Sequence, residues 1–441
     1  MKKRILVIIL FFCLYNFSFS QGKFIIQNNK QSDKIKFKLI NNIIVIPVEI
    51  NGVTLSFLLD TGVSKPIIFN FLNVSDTLKI KNTETISLRG LGEGESVDAL
   101  KSKRNIIKIG DAINLNQDLY AVYDVNLNFA PRLGFPVHGI IGYDLFKDFV
   151  VEINYSNKFL RLTQPKKYTY KKCKKCERLN LEFYNSKPYI NAEVWTNKRI
   201  IPVKLLIDSG GSDALWLFED DSLGIKSSDK YFYDFLGHGL SGSVYGKRSK
   251  VENFALKNFV LDNVNVSYPD STFISYARKH KNRNGSLSGN ILKRFNVIFD
   301  YQRAIITLKK NNLFNDEFNY NKSGIELAHD GMRILRELNK SNIKQNSTTQ
   351  SSNNNIILDN QYQISLKPAY AIVELRKDSP AEQAGLKIGD ILISINGKQT
   401  YQLRLNQIIQ MFYDDDGKKI RMRVDRGGDA LIFNFKLKKL F

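Results

Sequence analysis

The run Ile46-Pro47-Val48-Glu49-Ile50-Asn51-Gly52-Val53-Thr54-Leu55-Ser56-Phe57-Leu58-Leu59-Asp60-Thr61-Gly62 has a counterpart later in the same chain. There Ile190-Asn191-Ala192-Glu193-Val194-Trp195 is followed by Ile201-Pro202-Val203-Lys204-Leu205-Leu206-Ile207-Asp208-Ser209-Gly210. A second pair of segments, Gly139 to Tyr155 and Gly285 to Tyr301, keeps nearly the same spacing. Asp60 to Asp208 is 148 residues, Gly142 to Gly289 is 147 and Tyr155 to Tyr301 is 146. A near-constant shift over three landmarks marks a duplicated unit, and a duplication governs the fold ahead of any local preference. Each copy reads as a β-hairpin feeding an apolar strand that ends at Asp-(Thr/Ser)-Gly. Each also carries a glycine-rich turn, Gly90 to Gly94 and Gly237 to Gly242, expected at a hairpin tip. Short helices are expected at Asp144 to Asp148 and Asn290 to Arg294, so both units are mainly β.

The flanks of the duplication have different characters. Met1 to Arg4 is positive, Ile5 to Leu14 is apolar and Ser18-Phe19-Ser20 is small, which reads as a signal peptide over 1–20. The apolar run is too short for a bilayer and Cys13 lacks the setting of a lipidation site, so no stable membrane anchor is expected. Export to a periplasmic or extracellular compartment is the corresponding expectation. The first unit is placed at 21–165, a basic linker with Cys173 and Cys176 at 166–179, and the second unit at 180–312. Two thiols cannot complete a four-ligand zinc site, so a small linker disulfide is expected, with no metal and no cofactor. A third unit is placed at 320–441, with a polar insertion around 341–355. The net charge of +22 is spread along the chain without a nucleic-acid-binding motif, and reads as a solvated surface with no nucleic-acid partner.

Two Asp-(Thr/Ser)-Gly turns, one per repeat, imply two carboxylates brought together about a pseudo-twofold axis. Like charges about 3 Å apart cannot both ionise, so such a pair shares one proton and can hold a water between its members. The candidate catalytic residues are therefore Asp60 and Asp208. Gly62 and Gly210 let the turns approach, Thr61 and Ser209 can cross-link them, and Ser64 and Ser212 are expected to hydrogen-bond the outer carboxylate oxygens. One Asp-Thr-Gly is common in turns; two in register inside a duplication carry the reading. His138 and His238 share their segments with no nucleophile and are expected to be structural.

In Asp60-Thr61-Gly62-Val63-Ser64 and Asp208-Ser209-Gly210-Gly211-Ser212, with Ile140-Ile141-Gly142 downstream, the chain resembles the aspartic proteases. The second downstream element, Leu287-Ser288-Gly289, departs by a serine, and neither glycine-rich turn holds an obvious flap tyrosine. The resemblance implies two tandem β-barrel lobes with a cleft between them, and a flap from each lobe looks closer to a fused retropepsin-like dimer than to pepsin. Through Ser379 to Leu386 and Gly389 to Gly397 the last unit resembles a PDZ domain, which implies an α+β fold that binds peptide C-termini or extended segments. Its binding loop corresponds to Ser323-Gly324-Ile325-Glu326-Leu327. The expected function is an aspartic endopeptidase acting on polypeptides, with the PDZ module recruiting substrate. The alternative is a catalytically silent peptide-binding or scaffold protein of the same fold. The intact Asp60, Asp208, Gly62 and Gly210 favour the enzyme.

Overall fold

The computed structural model describes residues 22–69, 71, 75–123, 127–196, 199–338 and 362–441. The expected signal peptide and the polar insertion at 341–355 lie outside them. In the first repeat Ile43–Ile50 and Val53–Leu59 pair antiparallel around Asn51-Gly52, whose positive φ angles of 49° and 90° suit a two-residue hairpin turn. Gly139–Ile141 then lies parallel to Val53–Leu59 and antiparallel to Ile67–Ile68. The second repeat does the same: Lys187–Thr196 pairs with Arg199–Asp208, and Gly285–Ser288 enters between Arg199–Asp208 and Leu215–Leu217. The strands that carry the two Asp-(Thr/Ser)-Gly turns are thus flanked on both sides, and their apolar runs match that burial.

Each lobe closes on itself. In the first, Ile43–Ile50 pairs with Val97–Ile109, which pairs with Ala112–Val122, which returns through Ile67–Ile68 to Gly139–Ile141. In the second, Lys187–Thr196, Gly242–Leu256, Phe259–Pro269 and Leu215–Leu217 complete the corresponding ring. These are the two β-barrel lobes expected from the duplication.

A six-stranded sheet joins them, in the order Cys176–Asn180, Ile305–Lys310, Phe295–Asp300, Val150–Asn154, Phe159–Thr163, Ser32–Lys36. At its centre Glu152 pairs with Ile298, and Val151 and Ile153 pair with Phe299 and Val297. Glu152 and Ile298 occupy equivalent positions in the two repeats, so the pseudo-twofold axis passes between them.

Two boundaries move. The basic linker ends at Lys175, because Cys176–Asn180 is an edge strand of the joining sheet, directly after the Cys173–Cys176 disulfide. The second lobe runs past 312: the buried Arg294 guanidinium donates to the carbonyls of Leu313 and Phe314, and Phe318 is buried in the lobe core.

The C-terminal unit has its own core around Ile325, Ile372, Leu392, Ile408 and Met422. Its sheet runs Ile325–Leu338, Tyr362–Leu375, Ile391–Ile395, Lys419–Arg426, Asp429–Lys436, so Ile325–Leu338 is an edge strand. Helix Pro380–Gln383 starts at Ser379, whose Oγ accepts the Glu382 N–H, a normal N-cap followed by proline. Among the described residues no helix is long and apolar enough to cross a membrane.

Candidate active site

Asp60 directly follows Val53–Leu59, and its N–H donates to the Ile141 carbonyl at 2.8 Å; Asp208 is the last residue of its strand. The parallel neighbour in each lobe therefore pins the start of the turn. Across the lobe boundary, Thr61 Oγ1 donates to the Ile207 carbonyl at 2.6 Å and Ser209 Oγ to the Leu59 carbonyl at 2.7 Å. Each hydroxyl also accepts the other residue's backbone N–H at 3.1 Å. Both side chains are buried, so every polar group in the knot is paired inside the protein.

This knot brings the two carboxylates face to face. A Cβ on Gly210 would stand 2.4 Å from the Asp60 Cγ, and one on Gly62 would stand 3.6 Å from the Asp208 Oδ1. The first distance leaves no room for any other residue at 210. Asp60 Oδ1 accepts the Gly62 N–H at 2.6 Å, and Asp208 Oδ1 accepts those of Gly210 and Gly211, both at 3.1 Å. The Ser64 and Ser212 hydroxyls make no such bond. The donors that the carboxylates do receive are backbone amides two and three residues on, all at Oδ1. Burial and the adjacent Asp208 push the Asp60 carboxyl up to about 7, against the pull of the Gly62 amide and Lys187.

Both glycine-rich turns stand at hairpin tips, of Thr83–Leu88 with Val97–Ile109 and of Phe232–Gly239 with Gly242–Leu256. The tips bond to each other. Ser241 N donates to the Leu91 carbonyl at 3.0 Å, Gly94 N to the Ser241 carbonyl at 2.7 Å and Gly90 N to Ser241 Oγ at 3.1 Å. The two lobes are thus joined at their hairpin tips as well as at the Asp-(Thr/Ser)-Gly turns.

Other residues gain or lose importance here. His138 Nδ1 accepts the Ser56 N–H at 3.2 Å, and burial lowers its pKa. Asn284 accepts the Lys204 N–H in the same place of the second lobe, so this histidine is a strand connector. His238 packs edge-on to Phe129 with ring centroids 6.1 Å apart. Lys187 and Arg283 were not singled out in the sequence, yet both sit beside the carboxylates. Burial and the Arg283 charge lower the Lys187 pKa while Asp60 and Asp208 raise it. The signal that could have found Lys187 is the hairpin register: extending Tyr189 opposite Leu206 by two residues brings Lys187 opposite Asp208.

Residues 46–145 match the aspartyl protease family and residues 372–426 match the PDZ domain family. The chain carries an aspartyl protease domain and a C-terminal PDZ domain. The aspartyl protease match contains Asp60-Thr61-Gly62 and Ile140-Ile141-Gly142; the second repeat lies beyond it and is tied to the first by the pseudo-twofold axis. A stretch of 68 residues is 37% identical to the carboxy-terminal processing protease CtpB of Bacillus subtilis (strain 168). That stretch is 15% of this chain and 14% of the length of CtpB. These likenesses support a peptidase with a PDZ module. Chemically, the paired carboxyls of Asp60 and Asp208 can share a proton and hold a water between them.

Proposed function

We propose that the protein is an aspartic endopeptidase and that Asp60 and Asp208 are its catalytic pair. The observation that carries this is the reciprocal Thr61 and Ser209 hydrogen bonding, which holds the two carboxyls together across the lobe boundary. The ionised carboxylate takes a proton from the bound water as the water oxygen attacks the peptide carbonyl carbon. The protonated partner donates its proton to the carbonyl oxygen, giving a tetrahedral diol. Collapse of the diol returns a hydroxyl proton to the pair, the nitrogen is protonated, and the C–N bond breaks to release acid and amine. No covalent enzyme intermediate is required.

In the same reading the PDZ domain takes chain ends or extended polypeptide segments at its edge strand, and the protein works outside the cytoplasm. The charged-then-apolar run Met1 to Leu14 and the Cys173–Cys176 disulfide support export. The test is incubation of the protein with a mixed peptide library across pH, read by mass spectrometry. Asp60→Asn and Asp208→Asn are each expected to lower kcat/KM by at least about a thousandfold while the fold persists. Near-normal turnover in either variant overturns the assignment, and peptide binding without cleavage in the unaltered protein points to the silent peptide-binding alternative.

A further inference from the structure

The two halves of the cleft are related by the duplication but differ in chemistry. Extending the first-lobe register of Val45 opposite Leu58 by two residues sets Ile43 opposite Asp60, where the second lobe sets Lys187 opposite Asp208. Cross-strand neighbours project to the same face, so each of these residues stands beside its carboxylate. Two residues before Gly139 the first lobe has Val137; two residues before Gly285 the second has Arg283. Ile43 and Val137 are buried in one apolar cluster with Leu58 and Ile140. Arg283 is also buried, with its Nε donating to the Gly285 carbonyl at 3.1 Å and its Nη2 to Ser286 Oγ at 2.7 Å. The first-lobe wall is therefore apolar and the second-lobe wall cationic.

Charge balance makes this consequential. Two cations stand near a carboxylate pair that carries one net negative charge when it shares a proton. Among the described residues the Lys187 ammonium has no hydrogen bond or ion pair at contact distance, and it is only partly buried. We propose that Lys187, which the hairpin register sets opposite Asp208, forms a subsite for an acidic substrate side chain on one side of the scissile bond, with an apolar side chain favoured on the other. This rests on the aspartic endopeptidase reading and specifies its substrate class.

The test uses peptide pairs that differ only by Asp or Asn at each position flanking the cleaved bond. The unaltered protein is expected to prefer Asp at one of the two positions by at least about tenfold in kcat/KM, the scale of a charge-assisted bond. Lys187→Met is expected to bring that ratio close to one, and Lys187→Glu to reverse it. A variant that merely loosens the fold changes both members of a pair alike. The same ratio in all three proteins, with cleavage still dependent on Asp60, overturns the subsite and leaves the endopeptidase standing. Cleavage that survives Asp60→Asn, or no cleavage at all, overturns both.

An independent observation concerns the edge strand Ile325–Leu338 of the PDZ domain, where a peptide adds to the sheet, and the groove between it and the adjacent helix Leu405–Gln410. Helix Ala130–Leu133 of the first lobe packs on that strand, and Gly134 lies so close to the helix that an added Cβ would stand 2.7 Å from Leu405 Cβ. Arg132 Nη2 reaches Glu374 Oε1 at 3.0 Å on the neighbouring PDZ strand, and Glu374 Oε2 accepts the Tyr245 hydroxyl at 3.3 Å. Tyr245 belongs to the second-lobe flap, as does Phe235, whose ring lies 4.5 Å from the Arg132 guanidinium. We infer that residues 130–134 occupy the PDZ groove in cis and tie it to the flap, so that a polypeptide carboxy terminus entering the groove displaces them and frees the flap. Labelled hexapeptides with an apolar last residue, either carboxylate-ended or amidated, are titrated onto the full chain and onto Arg132→Ala and Glu374→Gln. Both variants are expected to bind the carboxylate-ended peptides at least about tenfold more tightly than the unaltered protein and to leave amidated ones unbound. Equal Kd values in all three proteins, or no binding in any, overturn the inference.

Discussion

Thr61 and Ser209, from different lobes, each accept the other's backbone N–H at 3.1 Å while donating their own hydroxyl proton to a strand carbonyl of the opposite lobe. The spacing of the two carboxyls therefore depends on two small side chains. Thr61→Val keeps the volume but leaves the Ile207 carbonyl and the Ser209 N–H buried and unpaired, at a cost of about 1–3 kcal/mol for each such group. The expected outcome is a lower Tm and a fall in kcat/KM, with Thr61→Ser close to the unaltered protein in both. Calorimetry and steady-state kinetics check it; a Val variant with unchanged Tm removes the knot from the stability argument.

The raised Asp60 pKa has a definite sign for stability. Its folded value of about 7 lies above the ordinary 3.8, so the folded state holds a proton that the unfolded chain has released between these values. The carboxyl therefore costs nothing below about pH 3.8, costs progressively more as pH rises toward 7, and stays costly above it. Asp60→Asn removes that cost. It is expected to raise stability by at least about 1 kcal/mol at pH 8 and to have no such effect near pH 3.5. Denaturant unfolding at the two pH values checks it, and a destabilised Asn variant at pH 8 contradicts the assigned cause.

Activity follows the same proton in the opposite sense. The reaction needs one shared proton, so it fails when the pair loses it on the basic side and when the pair becomes fully protonated on the acid side. With Asp60 titrating near 7, kcat/KM is expected to be bell-shaped with its basic limb near neutral pH and its optimum in weakly acidic to near-neutral solution. A steady rise toward strong acid, with nothing measurable near neutrality, contradicts this.

The corrected lobe boundary gives a further comparison. A chain ending at Leu308 removes the Leu313 and Phe314 carbonyls that pair the buried Arg294 guanidinium, and it also removes the buried Phe318. The guanidinium then keeps only the Asn290 carbonyl and the lobe core loses Phe318, so this chain is expected to be markedly less stable. A chain ending at Phe318 keeps those partners and is expected to fold and cleave short peptides, losing only the PDZ contribution. Circular dichroism and reporter-peptide cleavage of the two truncations distinguish them; equal stability contradicts the argument.

Much of the architecture was legible because duplication turns weak local signals into strong ones. Asp60-Thr61-Gly62 alone is an ordinary turn, but its recurrence at Asp208-Ser209-Gly210, with Tyr155 and Tyr301 at nearly the same offset, implies a twofold relation. That relation appears as the pairing of Glu152 with Ile298. The hairpin tips were legible for a simpler reason, since glycines between two strand-like runs have few other uses. Ser64 and Ser212 were misread because a hydroxyl beside a carboxylate looks like a donor. Whether it reaches depends on the path of the chain after the turn, and here only backbone amides donate to the carboxylates.

By itself the sequence determined the two β lobes, the paired aspartates and the following PDZ domain, because repeat spacing and strand period are properties of the chain order. The tertiary structure alone decided the rest. Arg283 comes near Asp208 from a strand start outside either Asp-(Thr/Ser)-Gly hairpin, the two flap tips meet through Leu91 and Ser241, and Arg132 finds Glu374 across 242 residues. None of these contacts has a period or a motif. Each depends on where closed barrels and a packed third domain bring side chains in space, and that is set by the sum of many long-range contacts rather than by any segment's own pattern.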